Sequence, residues 1–209
     1  MKTKKKAFLT GICAVLLVAV SVVGTMAYLI SKDTVTNTFT VGDVKIKLDE
    51  AKANTDGTLI ANADRVKANT YKLIPGHTYN KDPMVTVLKG SESSYIKLLV
   101  TVTKSAELDA IGVDLITTFK GYDSANWIYK GNTKDTTANT RTYEFWYKET
   151  VAAPDADVEL DALFDQIVVP GTITNAQLAT IQGMTITVNA QAIQADGFAN
   201  AEAAWAAYE

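Results

Sequence analysis

The side chains that ordinarily carry catalysis are scarce in this chain. Its 209 residues include one histidine, His77, and one cysteine, Cys13. A catalytic zinc needs three protein ligands with a general base at hand, and one imidazole among scattered carboxylates does not supply them. No HExxH pair, Walker loop or GxGxxG run is present. His77 follows Pro75-Gly76, a turn in which a solvated imidazole is the ordinary outcome. Asp155, Asp157, Glu159 and Asp161 cluster but lack the glycine and terminal glutamate of an EF-hand loop, so helix capping is the better reading. Lysines and asparagines are plentiful, yet no spacing picks out a trio for an intramolecular isopeptide bond. No catalytic residue, metal ligand or cofactor is assigned. The aromatic residues Trp127, Tyr129, Tyr143, Trp146 and Tyr147 offer a candidate sugar-stacking surface, centred on Trp127, Tyr129 and Trp146. Alternating strand aromatics more commonly fill a core or pair across strands.

Charge divides the chain. Lys2, Lys4, Lys5 and Lys6 precede an uncharged stretch from Ala7 to Ser31, the pattern of an export signal with a basic start and an apolar body. Thr25-Met26-Ala27 followed by Tyr28 offers small side chains before a cut, which assigns 1–27 as a signal peptide. The alternative is an uncleaved anchor, since the apolar stretch approaches the roughly 20 residues that span a bilayer. Without those four lysines, residues 28–209 hold 16 basic and 23 acidic side chains, a net charge of −7. An acidic body with no basic patch argues against nucleic-acid binding, whose affinity comes largely from Lys and Arg on phosphates. The only cysteine falls within the signal, so disulfide and thiol chemistry are excluded for the remainder.

Beyond the signal, side chains alternate with period two, as they do when successive residues point to opposite faces of a sheet. Val44–Leu48 puts three aliphatics on one face and two lysines on the other. Ile96, Leu98, Val100 and Val102 share a face of 95–103; Tyr143, Phe145 and Tyr147 share a face of 141–148; Ile186, Val188, Ala190 and Ala192 share a face of 185–193. Weaker strands are expected at 83–88, 114–119 and 127–129. Three short helices interrupt the pattern. The first follows Leu160, Leu163, Phe164 and Ile167; the second follows the Thr174/Gln177 capping-box spacing; the third runs over 200–209 with Trp205 on its docking face. The expected class is mainly β, an antiparallel two-sheet sandwich with a few short helices, forming one domain over 41–209.

Several strings carry a family resemblance. Gly24-Thr25-Met26-Ala27-Tyr28-Leu29, with Asn37-Thr38-Phe39-Thr40-Val41-Gly42-Asp43-Val44-Lys45-Ile46-Lys47-Leu48, resembles the start of the TasA/camelysin family, whose signals are processed by a SipW-type signal peptidase. Pro75-Gly76, Lys81-Asp82-Pro83-Met84-Val85-Thr86-Val87 and Tyr95-Ile96-Lys97 are similar to that family's central block. Ala190-Gln191-Ala192-Ile193-Gln194-Ala195-Asp196-Gly197-Phe198, with Ala203-Ala204-Trp205, is similar to its close. The resemblance implies a jelly-roll topology and a secreted, Gram-positive-type surface or biofilm-matrix protein that touches the membrane only through its N-terminal segment. It also implies fibre assembly with copies of itself or related subunits, by passing the N-terminal segment into a neighbour's sheet. The donor candidate is 28–40, with Val35, Thr38 and Phe39 as anchors; the alternative is a leader or the first strand of its own sheet. Camelysin-like members also carry a metalloprotease label, which makes a cell-surface peptidase one alternative function, and a glycan-binding adhesin is another.

Overall fold

The alternating segments become strands because they bury one face. In this computed structural model, which describes residues 42–208, Ile96, Leu98, Val100 and Val102 are all fully buried, each at 0% exposure. They lie on β4 (Ser91–Thr103), the long central strand. β4 is flanked by β7 (Thr140–Tyr147) and β11 (Ile186–Gln194), and β6 (Trp127–Asp135) follows β7, giving the order β11-β4-β7-β6. β8 (Val151–Ala153) pairs with the start of β4. The signal, cleavage and donor assignments at Thr25, Ala27, Tyr28, Val35, Thr38 and Phe39 lie outside the described residues.

Two smaller three-stranded sheets face the same core. One is β1 (Ile46–Asp49), β3 (Met84–Val87) and β9 (Val158–Glu159); the other is β2 (Thr78–Asn80), β10 (Gln166–Val168) and β5 (Phe119–Lys120). Backbone hydrogen bonds from Lys81 N to Asp165 O (3.0 Å), Leu163 N to Pro83 O (3.1 Å) and Leu160 N to Val85 O (2.9 Å) link the two along an interrupted ribbon. Every pairing between the named strands is antiparallel. Val85 and Val87 from one side meet Val100, Tyr143, Phe145 and Phe164 in a single apolar cluster. Phe119 stacks on Phe164 at 4.0 Å between ring centroids.

Three short helices accompany the sheets: α1 (Ser105–Ala110), α2 (Asn175–Thr180) and α3 (Ala201–Tyr208). α2 carries the expected reciprocal capping box, with Thr174 and Gln177 satisfying each other's backbone N–H groups. α3 docks through Ala204 and Trp205, both nearly fully buried.

Two expectations fail. No helix forms over 160–167, because the backbone there finds partners on Val85, Pro83 and Lys120 instead of within itself. Leu160, Leu163 and Phe164 are nonetheless buried; the i, i+3, i+4 spacing reflects an irregular segment dipping into the core between two short strands. A helix this short is marginal alone, and pairing with distant segments of the same chain wins. The upstream carboxylates therefore cap no helix. Asp157 accepts from Lys89 N–H (2.8 Å), and Asp161 accepts from the Asn126 amide (2.9 Å). The strand expected over 114–119 is a 3-10 turn at Leu115–Thr118, where the Asp114 carboxylate accepts from Ile116 N–H before the chain extends into β5.

A charged strut fixes the segment that leaves β1. Arg65 donates to Asp49 Oδ1 (2.5 Å) and Asp82 Oδ2 (2.8 Å), and to the backbone oxygens of both residues at 3.2 and 2.9 Å. Burial pushes the Asp49 carboxyl up, but hydrogen bonds from Arg65 and Lys47 outweigh it and hold the group below its usual value. Gly57 completes the fold-back. At φ +87° it lies where an added Cβ would stand 2.6 Å from Tyr79 Cα, so only glycine fits.

Candidate functional site: an open sheet edge beside an apolar groove

β11 ends its sheet, and its hydrogen-bond phase determines which backbone groups are left over. Thr103 N–H donates to Thr185 O, and Ala195 N–H donates to Ser93 O. With the pairing Ile186↔Val102 through Gln194↔Ser94, the odd-numbered residues exchange bonds with β4. Antiparallel strands alternate in this respect. The N–H and C=O groups of Ile186, Val188, Ala190, Ala192 and Gln194 therefore face away from β4, and among the described residues no strand pairs with them.

Among the described residues this edge carries little of the usual protection, although β1 and α3 approach β11. Proteins guard edge strands with charges, proline, bulges or short length. β11 is nine residues long and reads Ile-Thr-Val-Asn-Ala-Gln-Ala-Ile-Gln, without charge, proline or glycine. Its inward side chains are only half buried, unlike the fully buried row on β4. The opposite edge, β6, has the same length and also lacks proline, but it is charged and bulged. It holds Lys130, Lys134 and Asp135, and its register shifts between Tyr129 and Gly131.

A groove of about 930 Å³ opens beside the start of β11, where Ile186 and Thr187 meet residues 68–73, β10 and α2. Its walls include Leu73, Leu108, Ile167, Ile173, Leu178 and Met184. It is suited to apolar side chains.

The aromatic surface is not assembled as a platform. Pairing of Trp127 with Tyr147 and of Ile128 with Trp146 places Trp127 and Trp146 on opposite faces of the sheet. Trp127 is 1% exposed, donates from Nε1 to Asp161 O (3.0 Å) and meets Tyr147 edge-on. Tyr129 packs against Phe145 on the core side. Tyr143 is buried, and its hydroxyl donates to Asp114 at 2.5 Å; burial and then that carboxylate push its phenol up to about 12. Trp146 lies on the outer face beneath α3. There Lys130 sits over its ring at 4.0 Å, while Lys97 lies 4.4 Å from the centre of the Trp205 ring.

His77 is exposed in its turn. Among the described residues no three His, Cys, Asp or Glu side chains come together to hold a metal ion. No described helix is long and apolar enough to cross a membrane.

Fold and site together define a mainly β protein of antiparallel sheets whose most distinctive surface, among the described residues, is an unpaired and uncharged strand edge. Comparison with protein-family models, with curated proteins and with solved structures finds no match in any of the three.

Proposed function

We propose that this chain is a non-enzymatic, exported subunit that assembles on the cell surface or in an extracellular matrix. In this reading the N-terminal segment of one copy adds a strand to β11 of the next. The open, uncharged β11 edge carries the proposal: five residues offer main-chain donors and acceptors in register, and strand addition uses those groups for affinity. Residues 34–40, Thr-Val-Thr-Asn-Thr-Phe-Thr, suit the complementary strand, being rich in β-branched side chains and free of charge. Val35 and Phe39 share one face of an extended segment, and the groove beside β11 offers apolar space for such anchors. The resemblance to the TasA/camelysin family points the same way, as does the basic and apolar N-terminus. A jelly-roll topology accords with β11 lying beside β4, and with β10 between β2 and β5, because such neighbours far apart in sequence arise from Greek-key connections.

Electron microscopy of purified protein tests the donor segment. A chain beginning at Tyr28 is expected to form fibres, and one beginning at Thr40 is expected to remain dispersed. Fibres from both, or from neither, would count against strand donation.

A further inference from the structure

The fold brings together three side chains that stand 19 and 31 residues apart from their common centre, Glu50. Lys81 Nζ is hydrogen-bonded to Glu50 Oε2, with both side chains at least nine-tenths buried. The Asn69 amide nitrogen donates to the other oxygen, Glu50 Oε1, at 3.0 Å and to Ala51 O at 2.9 Å, while Asn69 Oδ1 accepts from Ala53 N–H at 2.9 Å. These partners fix the amide orientation, since two are acceptors and the third is a donor. One carboxylate thus touches an amine on one oxygen and an amide NH₂ on the other, and the Ala53 N–H polarises the Asn69 carbonyl. Lys81 and Glu50 are 8% and 5% exposed, which keeps the amine poorly hydrated.

We propose that Lys81 and Asn69 form an intramolecular isopeptide bond, with Glu50 as the proton carrier. Glu50 takes a proton from the Lys81 ammonium, and the freed Nζ lone pair adds to Asn69 Cγ, forming the new C–N bond. The carbonyl electron pair moves to Oδ1, where Ala53 N–H stabilises the oxyanion. The carboxyl returns its proton to Nδ2 and removes the second proton from Nζ. The C=O bond then re-forms, the Cγ–Nδ2 bond breaks and ammonia leaves; it takes up the remaining proton from Glu50 and departs as ammonium. No oxidant, metal or nucleotide is consumed. This bond does not depend on the assembly reading.

Denaturing mass spectrometry of the full chain, with a tryptic map, is the test. The expected result is a mass lower than the sequence value by one ammonia, with the peptide 68–72 joined to 73–89 through Asn69 and Lys81. The deficit should vanish in Asn69→Ala and Lys81→Arg, and it should vanish or form far more slowly in Glu50→Gln. A folded wild-type chain at its full sequence mass would overturn the proposal. So would a deficit that maps to a succinimide with no 69–81 linkage, or a deficit of one water, which would place the bond on Glu50. A full deficit retained in Glu50→Gln would overturn the carboxylate's role. The wild-type measurement decides the bond even if a variant fails to fold.

Discussion

Replacing Trp127 by alanine is expected to destabilise the fold by about 3–5 kcal/mol, the range for deleting a large buried aromatic. The side chain is 1% exposed and packs edge-on against Tyr147 at 5.0 Å between ring centroids. Its indole N–H holds the carbonyl of Asp161 in the irregular segment between β9 and β10. The substitution therefore opens a cavity and also releases a core-forming loop. Urea denaturation followed by circular dichroism measures the loss. A change under about 1 kcal/mol would instead fit an exposed indole, as a stacking platform requires.

Arg65→Ala is expected to cost about 2 kcal/mol at neutral pH, because losing the part-buried arginine strands the buried Asp49 carboxylate. Asp49 would keep only Lys47, which is itself nearly half exposed. The pH dependence identifies the cause. In the wild-type fold the Asp49 carboxyl lies below its ordinary value of 3.8. Stability from the charged form is thus fully present above that value and is lost as pH falls through the folded one. In the variant the charged form has lost its main partner. The gap between the two proteins should narrow as pH drops below about 4 and both carboxyls are neutralised. A pH-independent gap in denaturation free energy would assign the effect to lost packing of the arginine stem.

How far the sequence foretells this molecule depends on how local each determinant is. The row Ile96, Leu98, Val100 and Val102 is legible because alternation records burial directly, and β4 is buried at every one of those positions. The capping box of α2 is legible because both partners lie within one turn. The helix expected over 160–167 is not, since it loses to carbonyls on Val85, Pro83 and Lys120, far away in sequence. α1 escapes notice for the same reason. Its first free N–H groups are met by Asn139, from the turn between β6 and β7, while Lys104 adopts a left-handed conformation at φ 59°.

The candidate site divides along the same line. The composition of β11 shows an uncharged, proline-free strand, but that it lies at an edge depends on strand order, which no local pattern encodes. The aromatic residues could be read as a surface because their spacing is silent on which face is covered. The pairing register resolves it, burying Trp127 and leaving Trp146 under α3. Lys81, Glu50 and Asn69 belong to separate segments and become a group only once β1 and β3 pair.

Ala190→Pro tests the central claim most directly. The Ala190 N–H points away from β4, so proline there removes a group the β11–β4 ladder does not use and places a ring on the free edge. A variant that melts close to wild type but assembles about fivefold less is expected, since one lost main-chain hydrogen bond of roughly 1 kcal/mol is about a factor of five. Asn189→Pro, which removes a bond to β4, should instead lower the melting temperature. Unchanged fibre formation by a folded Ala190→Pro protein, measured by light scattering and electron microscopy, would contradict the account.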